Sequence, residues 1–172
     1  MTNETNNPQP AIMIRSQYIR DMSLEIPFAP AIFKELNNQP QVHVDMGMKS
    51  EMMEDGTYVV SLTTKMDADI NDKKLFIIEL EYCANVEVNV APEQTEPVLM
   101  IELPRLMFPF VRSIIASNLA SAGLPPLMLN PIDFVAMYQA KKAQEAGAQP
   151  NNTAEPQQKK AAPASEKKAK KK

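Results

Sequence analysis

The sequence predicts an α+β fold, in which a four-stranded antiparallel sheet has two main helices packed on one face. Three observations lead to this prediction. Apolar and polar residues alternate in four segments between Ala11 and Val88, the links between the last three segments are short, and the apolar period becomes helical after Pro104. The 172 residues suit one such domain with tails: a disordered N-terminus at 1–10, the domain at 11–148 and a disordered Lys-rich tail at 149–172.

The first strand is predicted from Ala11 to Glu25, because its apolar residues fall at even positions and its polar residues at odd positions. The apolar set is Ile12, Ile14, Tyr18, Met22 and Leu24, and the polar set is Arg15, Gln17, Asp21, Ser23 and Glu25. Three prolines make Pro27–Pro40 an irregular crossover, with a short turn at Ala31–Leu36.

The next three strands form a predicted antiparallel meander with one wet face. The second strand has an apolar face of Val42, Val44, Met46 and Met48, and Asp55-Gly56 is a turn signal before the third strand, which starts at Tyr58. Asn71-Asp72 marks the next turn. In the fourth strand, one face carries Phe76, Ile78, Leu80, Tyr82, Ala84, Val86 and Val88, and the other carries Leu75, Ile77, Glu79, Glu81, Cys83 and Glu87.

Two helices are predicted after the sheet. Pro92–Pro104 is interpreted as a proline-punctuated connector with a short helix near Val98–Glu102, and the first main helix as Arg105–Ala122, followed by Gly123 at the C′ position. The second helix is predicted to begin with Asn130 as its N-cap and to extend toward Ala148. We expect the first helix to cover the apolar face of the fourth strand. The residues assigned to this helix–sheet and oligomer packing are Ile78, Leu80, Tyr82, Phe110 and Ile114.

The charge of the chain is unevenly distributed. The segment 149–172 carries seven lysines and two glutamates, a net charge of +5, whereas residues 1–148 carry a net charge of −8. An acidic body favours basic partners over nucleic acid. The lysine segment has no interleaved aromatic residues, so we interpret it as a solubilising tail and expect neither nucleic-acid binding nor membrane insertion.

Composition favours a binding protein of a reducing compartment over an enzyme. Cys83 is the only cysteine, which excludes an internal disulfide, and no apolar run is long enough to cross a bilayer, so we expect a cytoplasmic protein. The four glycines are too dispersed for a phosphate-binding loop, and His43 alone cannot build a triad or a multi-histidine metal site. We therefore expect no catalytic site, no metal and no cofactor. The twelve methionines fit either core packing, which is the commoner use, or an adaptable binding surface.

Three segments resemble the SecB family of bacterial export chaperones. The segment Tyr18–Pro27 (YIRDMSLEIP), followed by Ala29-Pro30, resembles the family pattern Y-x-K-D-hydrophobic-S-F-E-x-P. The segment Leu106–Arg112 (LMFPFVR) resembles its L-F-P-[YF]-A-R helix start, and Gly123–Phe134 (GLPPLMLNPIDF) resembles G-F-P-P-L-x-L-x-P-[VI]-[ND]-F. Leu24 and Leu124 stand where the family usually has phenylalanine and Val111 where it has alanine, and the lysine tail is outside the shared pattern.

The resemblance implies a dimer of dimers that holds unfolded precursor proteins without ATP and delivers them to the SecA motor of the Sec translocase. It also implies a docking surface for the zinc-bearing C-terminal segment of SecA, formed here by Asp21, Glu25, Ile77 and Glu79, which we call the acidic patch. The strand patterns independently put these four side chains on polar faces of their strands. An adaptor or scaffold that binds one specific folded partner is the alternative, and the breadth of bound proteins would distinguish the two.

Overall fold

The computed structural model describes residues 10–147 and confirms the α+β fold. Strands β1 (Ile12–Glu25), β2 (Gln41–Met52), β3 (Tyr58–Ile70) and β4 (Lys73–Val88) form one antiparallel sheet in the order β1-β4-β3-β2. The helices α1 (Pro92–Pro97), α2 (Leu103–Ser121) and α3 (Phe134–Gly147) follow the strands in the chain. The predicted disordered segments, 1–10 and 149–172, lie outside the described residues except for Pro10.

Both predicted turns have the backbone geometry that their residues favour. Gly56 has a φ of +80°, and the Asp55 carboxylate accepts hydrogen bonds from the backbone N–H and the hydroxyl of Thr57. Asn71 and Asp72 have φ values of 50° and 59°, which suits the two-residue hairpin between β3 and β4. These turns fix the register of β2, β3 and β4 and so decide which side chains face the helices.

The simple alternation predicted for β1 is wrong in the middle of the strand. The register against β4 shifts between Ile14 and Ser16 and again between Ile19 and Asp21, so Arg15 and Arg20 are the extra residues of two bulges. Between them the two faces are exchanged: Tyr18 pairs with Cys83 on the polar face, and Gln17 lies on the helix side, where its side-chain oxygen accepts a hydrogen bond from the Tyr82 hydroxyl. The second bulge restores the original phase, so Asp21 and Glu25 keep their predicted face.

The core lies between the sheet and α2. Even-numbered residues of β3 and β4 are buried together with one side of α2: Val60, Leu62, Met66, Ile78, Leu80, Val86, Leu103, Met107, Val111, Ile115 and Leu119. The methionines are divided between the core and the surface. Met66, Met100 and Met107 are core residues, whereas Met52 and Met128 are exposed.

The connector predicted between the sheet and the first main helix is helical instead. α1 leads through a π-helical stretch, Val98–Glu102, directly into α2, so the chain is helical from Pro92 to Ser121. Proline lacks the backbone N–H that an α-helix uses, and Pro92 stands in the first turn of α1, where that N–H has no helical partner. Pro97 and Pro104 flank the π-helical stretch that joins the two helices. Leu99, Met100 and Leu103 are buried against the core, and their burial favours the helical path.

The second helix also begins later than predicted. Asn130 is not its N-cap, because α3 starts at Phe134 and the Asp133 carboxylate accepts hydrogen bonds at 3.0 Å from the backbone N–H groups of Val135 and Ala136. At the end of α2, Gly123 has the predicted left-handed conformation, with a φ of +80°.

Candidate functional site

The four residues of the acidic patch lie together on the face of the sheet opposite the helices. In the register of β1 and β4, Glu25 is opposite Ile77, Ser23 is opposite Glu79, and Asp21 is opposite Glu81. Residues opposite each other in an antiparallel pair are about 4.5–5.5 Å apart between Cα atoms. Asp21, Glu25 and Glu79 are exposed and Ile77 is half-buried. The patch therefore offers the Glu25 and Glu79 carboxylates beside one apolar side chain, with the Asp21 carboxylate farther along β1, opposite Glu81.

A neighbouring cation partly neutralises this patch. Lys65 lies opposite Glu79 on β3, and its ammonium donates a hydrogen bond of 2.6 Å to the Glu79 carboxylate. That hydrogen bond and the charge of Glu79 raise the pKa of Lys65 above its ordinary value. An incoming basic group must compete with Lys65 for Glu79.

Glu81 extends the patch toward the centre of the sheet, although the sequence did not single it out for this role. Its carboxylate lies 3.0 Å from Arg20 and 3.5 Å from Lys49. Partial burial raises the pKa of Glu81, but the hydrogen bond from Ser61 and the charges of Arg20 and Lys49 outweigh it and lower the pKa below its ordinary value. The Arg20 bulge thus places a cation beside a carboxylate that stays ionised.

These side chains border a shallow depression of about 340 Å³. Its lining includes Asp21, Asp45, Glu79, Glu81 and Lys65, and so contains four carboxylates and one ammonium. The sequence pattern could have indicated Asp45 and Lys65, since both stand at odd positions of their strands. It carried no signal for their convergence on Glu79, which depends on the register. The depression can attract a cationic segment. Of the four predicted patch residues, Asp21 and Glu79 line it, and Glu25 and Ile77 do not.

A second concave surface lies on the helix side of the sheet, between β2 and α3, and reaches the first depression at Gly47, which lines both. We call it the methionine groove. It consists of two adjoining cavities of about 460 and 390 Å³ that share Met46 and Met137. Its remaining apolar lining is supplied by Val44, Met48, Leu129, Pro131, Ile132 and Ala140. Val44 is 45% exposed although it stands on the apolar face of its strand.

The groove can hold apolar side chains of varied shape. Methionine is unbranched and polarisable, so Met46 and Met137 can adjust to different occupants. The lining also includes the amide-bearing Asn130 and Gln144 and the ammonium of Lys141 at its rim. The sequence indicated the methionines as a possible surface but not their position, because α3 and β2 are about ninety residues apart in the chain.

The residues assigned to helix–sheet and oligomer packing divide into two groups. Ile78, Leu80 and Tyr82 are buried, and Ile114 packs partly buried against the core. Phe110 stacks on Tyr82 with ring centroids 6.2 Å apart, yet it remains 49% exposed. Leu106, one helical turn before Phe110, is equally exposed, so α2 has an apolar outer stripe.

The reactive side chains considered in the sequence are not brought together in the structure. Cys83 is fully buried, with its sulfur 3.3 Å from the Ser61 hydroxyl oxygen, and His43 is an exposed residue of β2. Within residues 10–147, no three histidine, cysteine or carboxylate side chains cluster as metal ligands would. In the same residues, no helix combines the length and hydropathy needed to cross a membrane.

Comparison with known proteins agrees with these features. The family model described as preprotein translocase subunit SecB matches residues 5–145. The protein-export protein SecB of Rhodospirillum rubrum is 43% identical over 153 residues, which cover 85% of this chain and 96% of that protein. The protein of the same description from Paramagnetospirillum magneticum is 43% identical over 138 residues, covering 78% and 88% respectively.

A solved structure has the same fold. The SecB-like chaperone of Mycobacterium tuberculosis, solved in complex with a ChAD peptide from the HigA1 antitoxin, superposes with a TM-score of 0.60 at 13% identity and covers 71% of this chain and 91% of its own. The match along most of the sequence and the shared fold lead to one conclusion: this chain belongs to the SecB family of protein-export chaperones.

Proposed function

We propose that the protein is an ATP-independent holdase that keeps precursor proteins unfolded in the cytoplasm and delivers them to the SecA motor. The observation that carries this proposal is the match of a protein-export family to nearly the whole described domain, combined with a methionine-lined groove of suitable size. The SecB-like chaperone with this fold was solved with a peptide bound, which supports a role in holding polypeptide segments. In this proposal the protein is not an enzyme and needs no cofactor, because the motor supplies the energy.

The two concave surfaces would serve different partners. The methionine groove would take apolar segments of an unfolded chain, since its adaptable lining does not require one sequence. The acidic patch, Asp21, Glu25, Ile77 and Glu79, would take the basic zinc-bearing C-terminal segment of SecA, because carboxylates attract cations and Ile77 offers an apolar contact. The two surfaces lie on opposite faces of the sheet, so both partners could bind at once.

We further propose that four copies assemble as a dimer of dimers. β1 is an edge strand, and Met13, Ile14 and Ile19 on it are each more than one-third exposed. The apolar stripe Leu106 and Phe110 on α2 is a second surface suited to another copy. Four copies would also present several grooves to one unfolded chain, so that weak sites act together through avidity.

A crossed experiment tests the separation of the two surfaces. One variant carries Met46→Gln and Met137→Gln, and the other carries Asp21→Lys and Glu79→Lys. The groove variant should lose most of its suppression of aggregation of several unrelated denatured proteins, measured without nucleotide, yet bind the SecA segment normally in calorimetry. The patch variant should lose binding of the SecA segment and still suppress aggregation of the denatured proteins.

Loss of both activities in each variant would mean one shared surface. Dependence of client release on added ATP by the protein alone would contradict the holdase proposal. Binding to one folded protein and to no denatured ones would favour the adaptor.

A further inference from the structure

The outer edge of β2 lies beside the methionine groove. β2 pairs with β3 along Gln41–Met52 without any irregularity, and within residues 10–147 no strand pairs with its other edge. An open edge presents backbone N–H and C=O groups that an extended polypeptide can pair with.

One of these edge groups is already bonded. The Lys141 ammonium on α3 donates a hydrogen bond of 3.1 Å to the backbone carbonyl oxygen of Met48. In an antiparallel pair, successive residues point their backbone groups alternately toward and away from the partner strand. Because the Met48 carbonyl points away from β3 and the register is unbroken, the backbone groups of Val44 and Met46 also point outward. Their side chains line the groove, so the open backbone edge and the apolar floor belong to the same residues.

We propose that Lys141 is a guard residue that competes with the backbone of a bound polypeptide for the Met48 carbonyl. This inference rests on the proposed function of the methionine groove and adds a specificity-determining residue to it. An added strand can pair with Val44 and Met46 but must stop at Met48 or displace the ammonium. Lysine is a common means of blunting an edge strand, and here it would limit both the length of strand that is held and the self-association of free chains.

The neighbouring lysine provides a matched control. Lys142 has the same charge and lies on the same helix, but its ammonium pairs with Glu96 at 2.7 Å. Lys141→Ala and Lys142→Ala therefore remove equal charge from α3, and only the first removes the donor at Met48. Lys141→Arg keeps a donor of similar reach and should behave like the unaltered protein.

The experiment uses the full-length protein and a labelled, uncharged nine-residue peptide of alternating valine and serine. Lys141→Ala should raise affinity by about 2- to 12-fold, the factor expected for one hydrogen bond gained by the peptide. Lys142→Ala and Lys141→Arg should leave affinity unchanged. Amide hydrogen exchange should show that the peptide protects Val44 and Met46 in the unaltered protein, and that protection extends to Met48 only in Lys141→Ala.

Three results would overturn the proposed role of Lys141. Equal gains in Lys141→Ala and Lys142→Ala would assign the effect to net charge. Peptide binding without protection of Val44 and Met46 in any variant would show that the groove holds side chains without strand addition, leaving the proposed function intact. If the unaltered protein bound neither this peptide nor any denatured protein, the proposed function would be wrong, and the proposed role of Lys141 with it.

Discussion

Lys65 is the residue that sets how available the acidic patch is. Its hydrogen bond to Glu79 is exposed, and such pairs add little to stability because water and salt screen them. The same pair removes one carboxylate from the set that a basic partner can use. We therefore predict that Lys65→Ala will strengthen binding of the SecA segment about 2- to 5-fold, within the range of one exposed ion pair, while the free energy of unfolding changes little.

Calorimetry at low and at moderate salt would measure this effect. The gain should shrink with added salt, because exposed charges are screened. Lys73→Ala is the control, since Lys73 forms a comparable exposed pair with Glu35 near the β3–β4 turn. Weaker binding by Lys65→Ala would mean that the partner uses the Lys65 side chain directly.

For single residues, the sequence predicted which face of the sheet most side chains occupy, but it did not predict which side chains they contact. Asp21, Glu25, Ile77 and Glu79 lie on the polar face that alternation assigned to them, because side-chain direction in a strand follows a period of two. The partners of these residues come from other strands. Which lysine meets Glu79 depends on the register of β3 against β4, and a single sequence fixes that only through its turn.

Among the elements, α3 depends most visibly on one side chain. Asp133 caps its first turn, and Phe134, the first residue of the helix, is buried with its ring 5.7 Å from that of Phe108. Asp133→Ala should therefore cost about 1 kcal/mol of unfolding free energy, the usual cost of losing an N-cap. The first turn of α3 also carries Met137, so the binding of unfolded polypeptides in the methionine groove should weaken as well.

Chemical denaturation and the aggregation assay would measure the two effects. Asp133→Ser retains an oxygen acceptor at the cap and should recover most of the stability. If Asp133→Ala and Asp133→Ser lost equal stability, the carboxylate would be acting through its charge and not through the cap.

Element boundaries were harder to predict than element types, for physical reasons that can be named. The bulges at Arg15 and Arg20 exchange the two faces of β1 only between them. The alternation at both ends of the strand is therefore unchanged, and a pattern taken over the whole strand does not reveal the bulges. Prolines suggested a connector at Pro92–Pro104, but Pro92 occupies a helix first turn, where a missing N–H costs nothing, and Pro97 and Pro104 flank the π-helical stretch that joins α1 to α2. Asn130 and Pro131 imitate a helix start, and the true cap lies three residues later.

For the molecule as a whole, the surface left uncovered by the fold is informative. Ile19 of β1 lies opposite Tyr82, and Tyr82 stacks on Phe110, so the exposed edge of the sheet and the exposed stripe of α2 meet at one point. A closed assembly can use an edge strand for one two-fold contact and a helix layer for another. This arrangement would give the expected dimer of dimers while leaving the methionine groove and the acidic patch accessible.

Phe110 tests that arrangement most directly. Its stacking on Tyr82 is worth about 0.5–1.5 kcal/mol, so Phe110→Asp should fold with modestly reduced stability, because the helix core of Met107, Val111 and Ile115 is untouched. An aspartate in an apolar contact between copies would be buried without a partner, which is far more costly. Native mass measurement at micromolar concentration should therefore show four chains for the unaltered protein and two for Phe110→Asp.

The control is Met52→Asp, which adds the same charge at an apolar residue that is 71% exposed and lies outside both proposed contacts. It should remain a tetramer, and circular dichroism should show native secondary structure in both variants. A monomeric unaltered protein would contradict the dimer of dimers outright. Four chains in Phe110→Asp would leave the α2 stripe without a role in assembly and would require the second contact to use β1 or another face.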